Sequence, residues 1–228
     1  MKKLNDISIR ILDLILCVFA LLVFSPVLII VGFVLLFSGE GDIFYRQLRV
    51  GRAGKTFLLL KFATMLRDSS NMGAGDITVK NDPRVLPVGK FLRKTKINEI
   101  PQLINVIRGD MSLIGVRPVT PKIYNVYPEK IRDKVFEMPP GLSGVGSIIF
   151  RDEESLLNTS TDPISFHTNV ISPYKLSLDC WYSENRNIIR YIFLIILTIF
   201  AVLSPALSKS ITNYLGLPPP PEALESIL

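Results

Sequence analysis

Two long apolar stretches flank a central segment in which hydrophobic and polar residues alternate in shorter patterns. The first stretch, residues 14–37, contains no charged side chain. As a helix it would extend about 36 Å, which exceeds the roughly 30 Å hydrocarbon core of a bilayer. The second, residues 188–207, has Arg190 as its only charge and is short for a complete crossing. The pattern predicts one membrane-inserted helix and a second apolar helix that lies on the membrane or enters it shallowly.

The first apolar stretch has two features that disfavour a simple crossing. Ser25 and Pro26 lie near its middle, where a proline removes one helical hydrogen bond and bends the helix. Basic residues, which mark the cytoplasmic side, flank it at both ends: Lys2, Lys3 and Arg10 before it, and Arg46, Arg49, Arg52, Lys55 and Lys61 after it. A re-entrant helix that bends at Ser25-Pro26 would keep both basic flanks on the cytoplasmic side. A bitopic helix with a tolerated proline is the alternative.

The central segment carries both strand and helix patterns. Residues 43–65 are two apolar runs around a glycine-containing turn, which predicts a β-hairpin. Residues 100–107 place isoleucine and leucine at helical spacing, with Asn98 as a natural N-cap and Pro101 in the first turn. Residues 121–137 predict one amphipathic helix. The expected fold class is therefore α+β and mostly helical.

These patterns divide the chain into four predicted parts. Residues 1–42 form the re-entrant membrane helix, and residues 43–186 form a small cytosolic domain with interfacial amphipathic helices. Residues 187–216 form the C-terminal membrane-associated helix. Residues 217–228 are rich in proline and are expected to be a tail without regular structure.

Charge and composition narrow the possible ligands. Lys and Arg outnumber Asp and Glu by 26 to 20, a net charge of +6, which suits phosphates, lipid headgroups or nucleic acid. Nucleic acid is disfavoured because the basic residues flank membrane segments and no nucleic-acid motif is present. His167 is the only histidine and the two cysteines are far apart, so a histidine-based metal site and a disulfide framework are excluded. Any metal would be a hard, oxygen-bound ion such as Mg²⁺.

The basic run at residues 93–96 leads directly to Asn98 and Glu99. A carboxylate and an amide at the positive end of a helix, next to cations, can bind a phosphate or a divalent ion. A capped surface helix with solvated charges is the alternative. Further on, Arg117 stands between Val116 and Pro118 and can offer a rigid two-pronged contact to a phosphate, or form a salt bridge.

Several segments carry distinct motifs in a fixed order between about residues 8 and 200. They are Arg10-Ile11-Leu12-Asp13 before the apolar run, Phe44-Tyr45-Arg46-Gln47-Leu48-Arg49-Val50-Gly51, Leu60-Lys61-Phe62-Ala63-Thr64-Met65, Asp82-Pro83-Arg84-Val85, Glu99-Ile100-Pro101-Gln102-Leu103, Gly109-Asp110-Met111-Ser112 through Arg117-Pro118, and Pro140-Gly141-Leu142-Ser143-Gly144. Together they resemble the motifs of the bacterial sugar transferases, which are monotopic phosphoglycosyl transferases of the polyprenol-phosphate type.

The resemblance implies a reaction and a location. Members of this family move a sugar-1-phosphate from a UDP-sugar to polyprenyl (undecaprenyl) phosphate, which releases UMP and starts a surface glycan, exopolysaccharide or O-antigen. They act at the cytoplasmic face of the bacterial inner membrane, require Mg²⁺ and use an Asp-Glu pair, in which the Asp attacks the β-phosphorus. A re-entrant helix also belongs to the family, in agreement with the charge argument.

The chain departs from the family pattern at the reacting pair, because Asn98 stands in the position of the Asp. Ala63 and Val116 also replace a family Arg and Pro. Three interpretations follow: Glu99 is the nucleophile, or the lipid phosphate attacks directly, or the chain is an inactive relative that acts as a scaffold or nucleotide-sugar binder. We favour an active enzyme because the charged motif residues Lys61, Arg93, Glu99, Asp110 and Arg117 remain.

The resemblance assigns roles to individual residues. Asn98 and Glu99 are the catalytic pair, and Glu99 with Asp110 is expected to hold Mg²⁺, although Asp110 can instead be structural. The expected phosphate-binding residues are Arg93 and Arg117 for the diphosphate, and Lys61 and Arg49 for the lipid phosphate. Sugar specificity is expected to depend on residues 67–81 and 143–162.

Overall fold

The computed structural model describes residues 2–72, 82–151, 153–157, 160–203 and 215–225. This part of the chain is mainly helical with two small sheets, which confirms the α+β prediction. The strands are β1 Phe44–Val50, β2 Thr56–Phe62, β3 Ser112–Ile114 and β4 Gly141–Ser143. The α-helices are α1 Lys2–Leu36, α2 Pro87–Lys94, α3 Gln102–Arg108, α4 Pro121–Val126, α5 Glu129–Val135, α6 Val145–Ile149, α7 Glu153–Leu157, α8 Pro163–Phe166, α9 Ser172–Asn185, α10 Ile188–Leu203 and α11 Glu222–Glu225.

The predicted hairpin is present as the antiparallel pair β1 and β2. Its register places Tyr45 opposite Lys61 and Val50 opposite Thr56. Because side chains alternate between the two faces of a strand, Gln47 and Arg49 share the face that carries Lys61. The hairpin therefore gathers three of the polar positions singled out in the sequence onto one surface.

Helix α1 packs against the rest of the chain along its whole length. Ile9, Cys17 and Leu35 are all buried, and each belongs to a different hydrophobic cluster. Near the start of the helix, Arg10 donates to the carbonyl oxygens of Val106 and Ile107, at 2.5 and 2.7 Å. These carbonyls lie at the C-terminal end of α3, where a cation is favourable. Both ends of α1 thus contact the same domain.

A buried polar network fixes α1 to β3 and α10. The carboxylate of Asp13 accepts hydrogen bonds from the Ser112 hydroxyl at 2.8 Å and from the Leu113 amide at 3.1 Å. The Tyr191 hydroxyl also donates to Asp13. Because an unpaired buried carboxylate is costly, these bonds specify one position for α1 on the domain.

Helix α1 continues without interruption through Pro26. Proline has no amide hydrogen, so the carbonyl of Leu22, four residues earlier, loses its usual helical donor. The hydroxyl of Ser25 donates to that same carbonyl at 2.8 Å. The Ser-Pro pair therefore keeps the helix hydrogen-bonded at the proline, and the bend expected there stays a prediction.

Exposed apolar side chains cover the outer sides of α1 and α10. Among the described residues, α1 is the one helix that is long and apolar enough to cross a membrane. On α10, one side is buried and the other is apolar but exposed: Tyr191, Leu194, Leu197 and Ala201 pack inward, and Ile189, Ile192, Ile196 and Ile199 face outward. A contiguous exposed apolar surface of this kind marks contact with a membrane or a partner.

Two predictions of secondary structure are wrong. Residues 121–137 form two short helices, α4 and α5, because Pro128 disfavours helical geometry at Tyr127 and begins a new helix. The proline-rich tail is ordered over residues 215–225. There Leu224 is fully buried, and the Tyr174 hydroxyl donates to the Pro218 carbonyl at 2.9 Å. These long-range contacts outweigh the composition of the tail.

Candidate active site

The centre of the site is the carboxylate of Glu99, which lies in a short 3₁₀ turn, Ile97–Glu99, before α3. Lys61 on β2 donates from Nζ to Glu99 Oε1 at 3.1 Å. Arg117 Nη2 lies 3.8 Å from the same oxygen, and the Arg117 side chain is 55% exposed. The structure thus brings together three of the predicted site residues.

The cations around Glu99 keep its carboxyl group ionised. Burial alone would raise the pKa of Glu99, but Lys61, Arg117 and Lys96 together lower this pKa to about 2. Burial lowers the pKa of Lys61 and of Lys96, and Glu99 opposes both effects. Glu99 is therefore an ionised carboxylate throughout the physiological pH range, with basic groups close enough to receive an anion.

Lys96 is a site residue that the sequence reasoning did not single out. Its backbone has a φ of 60°, the left-handed region that a residue with a side chain rarely adopts. Strained residues of this kind tend to occur at functional sites. Arg93 and Arg151 are close enough to act on its charge. The basic run at residues 93–96 was the available signal, but it did not reveal that Lys96 is the lysine whose charge acts on Glu99.

The predicted N-cap role of Asn98 is wrong. Helix α3 begins at Gln102 after Pro101, and no side chain caps it. Because Lys96 is left-handed, the chain starts a separate turn at Ile97 and carries Asn98 inside it. The Asn98 side chain belongs to a residue only 6% exposed, and its Oδ1 has no hydrogen-bond partner within the described residues. A buried amide oxygen next to Glu99 suits a hydrogen-bond donor or a cation.

Asp110 lies at the opposite end of α3 from Glu99. The seven residues of α3 separate its two ends by about 10 Å. Asp110 Oδ2 accepts from Asn105 Nδ2 at 3.2 Å, and the Asp110 amide donates to the Asn105 carbonyl. The structure does not bring the two predicted metal carboxylates together, and it favours the structural role for Asp110.

The other predicted phosphate-binding residues lie on elements around the centre. Arg49 donates to Gln47 Oε1 and, at 3.2 Å, to the Pro118 carbonyl, which places it beside the residue that follows Arg117. Arg93 is at the end of α2, with Nη1 3.6 Å from Met65 Sδ. Their roles toward phosphate stay predictions.

Asn105 fixes the relative positions of Glu99 and Lys61. Its fully buried side chain accepts from the Leu60 amide at 3.0 Å and donates to the Leu58 carbonyl at 2.8 Å. The amide group thereby pairs with the edge of β2 as a neighbouring strand would. Because Lys61 directly follows Leu60, this contact holds α3 and its preceding turn against the lysine.

A second group of charged residues lies within electrostatic range of Arg117. Lys175 on α9 lies 2.7 Å from Glu153 Oε1, and His167 Nε2 lies 3.3 Å from the same oxygen. The charge of Arg117 acts on Lys175 and on Asp179, one turn further along α9. Within the segments expected to set specificity, Glu153 belongs to this group, whereas residues 73–81, 152, 158 and 159 lie outside the described residues.

Asp179 should give the protein a distinctive pH dependence. Burial raises its pKa from 3.8 to about 8, against the opposing charges of Lys175 and Arg117. The folded chain therefore holds an extra proton between these values, so the stability from Asp179 is full below about pH 4 and is lost as the pH rises through about 8. We expect Asp179→Asn to raise the melting temperature at pH 8 by at least about 2–4 °C relative to wild type, but not at pH 4.

The control for Asp179 is the exposed Asp133 on α5. Melting curves from pH 4 to 9 should show the same slope for Asp133→Asn as for wild type, and a flatter one for Asp179→Asn. An unchanged slope in Asp179→Asn would mean that Asp179 is ionised in the folded protein.

The structure thus combines an apolar helix long enough to cross a membrane with a group of cations around one ionised carboxylate. The chain belongs to the bacterial sugar transferase family, whose family model matches residues 4–205. It is 33% identical over 192 residues to "Exopolysaccharide production protein ExoY" of Sinorhizobium fredii, covering 78% of this chain and 83% of that protein.

Two longer relatives also match most of the chain. "Undecaprenyl-phosphate galactose phosphotransferase" of Salmonella typhimurium is 30% identical over 198 residues, which are 81% of this chain and 38% of that protein. "Uncharacterized sugar transferase" of Haemophilus influenzae is 32% identical over 217 residues, 89% of this chain and 42% of that protein. The chain thus spans less than half of these two relatives.

Proposed function

We propose that the chain transfers a sugar-1-phosphate from a UDP-sugar to polyprenyl phosphate, yielding polyprenyl-diphosphate-sugar and UMP. The observation that carries this proposal is the ionised Glu99 between Lys61 and Arg117, on a domain packed against an apolar helix. The names of the Salmonella relative and of similar transferases support the substrate class. The reaction would start a surface glycan such as an exopolysaccharide.

The residues around Glu99 suit phosphoryl transfer, which depends mainly on positioning and on neutralisation of charge. Lys61, Lys96 and Arg117 bind the diphosphate of the donor and the phosphate of the acceptor. In one route Glu99 attacks the β-phosphorus, the bond to the UMP oxygen breaks, and the lipid phosphate then displaces Glu99 from the sugar-phosphate. In the other route Glu99 orients a direct attack by the lipid phosphate on the same phosphorus. Trapping of a labelled sugar-phosphate on Glu99 distinguishes the two routes.

Mg²⁺ is part of this proposal. The described residues contain no group of three or more His, Cys, Asp or Glu side chains that could hold a metal. Mg²⁺ commonly binds through one or two protein oxygens together with substrate phosphates. The Glu99 carboxylate and the unpaired Oδ1 of Asn98 fit that mode and would hold the ion. When bound, Mg²⁺ supplies additional neutralisation of the phosphate charge.

We place the domain on the cytoplasmic face of the bacterial inner membrane, with α1 re-entrant. Both ends of α1 contact this domain, through Ile9 and Arg10 at one end and Leu35 at the other. A helix that crossed the bilayer would carry one end away from the domain. The exposed apolar sides of α1 and α10 support insertion into one leaflet.

Release of UMP tests the proposed function. Full-length protein in detergent or nanodiscs receives a panel of UDP-sugars, polyprenyl phosphate and Mg²⁺. We expect multiple turnovers of UMP release with at least one donor, and at most one UMP per enzyme molecule when the lipid is left out. Asn98 favours a second candidate, a scaffold that binds UDP-sugar without turnover. That candidate predicts donor binding without UMP, and UMP release only after Asn98→Asp.

A further inference from the structure

Residues 215–225, here called the C-terminal strap, pack on the hydrophobic cluster that α6, α9 and α10 share. Leu224 in α11 is fully buried in this cluster, and Leu215 and Leu217 pack against it. The Tyr174 hydroxyl on α9 donates to the carbonyl of Pro218 at 2.9 Å. The family model ends its match at residue 205, so the strap lies outside the matched range. Its buried anchor and its hydrogen bond give the strap a defined position on the domain.

A continuous series of contacts leads from the strap to Lys175. Tyr174, which holds Pro218, packs edge-to-face against Phe150 with the ring centroids 6.0 Å apart. The Lys175 ammonium lies 5.1 Å from the centre of the Phe150 ring and 2.7 Å from Glu153 Oε1. Lys175 also directly follows Tyr174 on α9. The strap therefore holds the aromatic pair against which the ammonium lies.

Helix α6 joins Lys175 to the active site. A Cβ on Gly146 would meet the Lys175 side chain at 3.7 Å, so the backbone of α6 lies against the lysine stem. A Cβ on Gly144, at the start of α6, would clash at 2.1 Å with the carbonyl oxygen of Gly115, two residues before Arg117. The charge of Arg117 acts on Lys175, whose side chain is 22% exposed. Lys175 is thus a further, partly exposed cation near the arginine that is expected to bind diphosphate.

We propose that the C-terminal strap positions Lys175 to attract the diphosphate of the UDP-sugar, so that donor affinity depends on docking of the strap. The inference rests on the proposed function, which supplies the donor. A cation that is already fixed in place stabilises an anion more than a mobile one, because no free energy is spent on ordering it after binding. Coupling between two equilibria is reciprocal, so a bound donor must also hold the strap more tightly.

The first test measures the KM for the UDP-sugar by UMP release, with the full chain in nanodiscs. Leu224→Ala removes the buried anchor of the strap and should raise this KM at least about fivefold, with kcat and the KM for polyprenyl phosphate unchanged. Tyr174→Phe removes only the hydroxyl that holds Pro218, keeps the ring, and should raise the same KM by less. Ala223→Ser, at the exposed neighbour of Leu224, should behave as wild type.

Lys175→Gln separates positioning from general support of the fold. This variant should itself raise the KM for the UDP-sugar at least about fivefold. Leu224→Ala should add no further rise in the Lys175→Gln background, because both changes act through one side chain. Multiplying effects in the double variant, or a wild-type KM for the donor in folded Leu224→Ala and Tyr174→Phe, would overturn the proposal.

Hydrogen exchange in the strap provides a second measurement that needs no turnover. The Leu224 amide donates to the Pro221 carbonyl, so its exchange reports opening of the strap. Saturating UDP, used as the probe, should slow this exchange at least about fivefold in wild type and leave it unchanged in Lys175→Gln. Equal slowing in both proteins, or none in wild type, would contradict the coupling. Failure of wild type to release UMP with any donor would instead reject the proposed function, and exchange with UDP would still decide the role of the strap.

Discussion

Glu99→Gln should lower UMP release by about 10³-fold or more, because it removes the only carboxylate for which the structure gives contacts to both Lys61 and Arg117. The amide is similar in shape, so the loss would come from the charge. A neutral amide is a poor nucleophile toward phosphorus and a weaker ligand for Mg²⁺ than the carboxylate that it replaces. Initial rates with saturating donor and lipid measure the effect directly.

The matched control is Glu129→Gln on the exposed first turn of α5. It should retain wild-type turnover, and both variants should give wild-type circular dichroism spectra. The pKa of about 2 also predicts that Glu99 stays ionised down to about pH 3, so that an acid limb of the rate profile above pH 4 belongs to another group. If folded Glu99→Gln retains more than a tenth of the activity, Glu99 does not carry the chemistry.

The largest loss of stability is expected from Asp82→Asn. Asp82 and Arg84 form a two-pronged ion pair with bonds of 2.8 and 2.6 Å, and their side chains are 2% and 4% exposed. Arg84 also donates to the carbonyls of Ser69 and Met72, each at 2.7 Å. Leaving the guanidinium buried without its partner charge costs about 3–5 kcal/mol. The melting temperature should fall by about 6–20 °C.

The control pair for Asp82 is Asp42 with Arg67, which also forms a 2.8 Å contact but is exposed. Asp42→Asn should change the melting temperature little, because water already solvates both charges. Both variants remove one charge from an ion pair, but only one of the two pairs is buried. A comparison of their melting temperatures therefore measures the effect of burial. Equal melting temperatures for Asp82→Asn and Asp42→Asn would contradict a stabilising role for the buried Asp82–Arg84 ion pair.

The sequence predicted the hairpin and part of the site because both depend on local patterns. Two apolar runs around the turn at residues 51–55 predict β1 and β2, and Lys61 lies in the second run. The motif after α2 identifies Glu99, and Arg117 follows from its restricted neighbours. The structure adds that these three side chains meet, which no spacing along the chain could establish.

Other features depend on contacts between distant segments or on one backbone conformation. Asn98 lies in a buried turn and not at a helix cap because Lys96 has left-handed backbone geometry. Lysine is not a residue type that signals this geometry. Nothing in the sequence around Asn105 indicates that its side-chain amide forms hydrogen bonds with β2. Nothing in the sequence around Asp179 signals its raised pKa, which comes from desolvation of the carboxyl in the folded protein.

The most direct measurement of the central claim follows the β-phosphorus of the donor. UDP-sugar labelled with ³²P at the β-position is incubated with the protein, polyprenyl phosphate and Mg²⁺, and the organic and aqueous phases are then separated. The proposed reaction carries the label into the lipid phase and leaves unlabelled UMP in water. Label that remains in water as UDP, while the sugar enters the lipid, would contradict the transfer of a sugar-phosphate by this site.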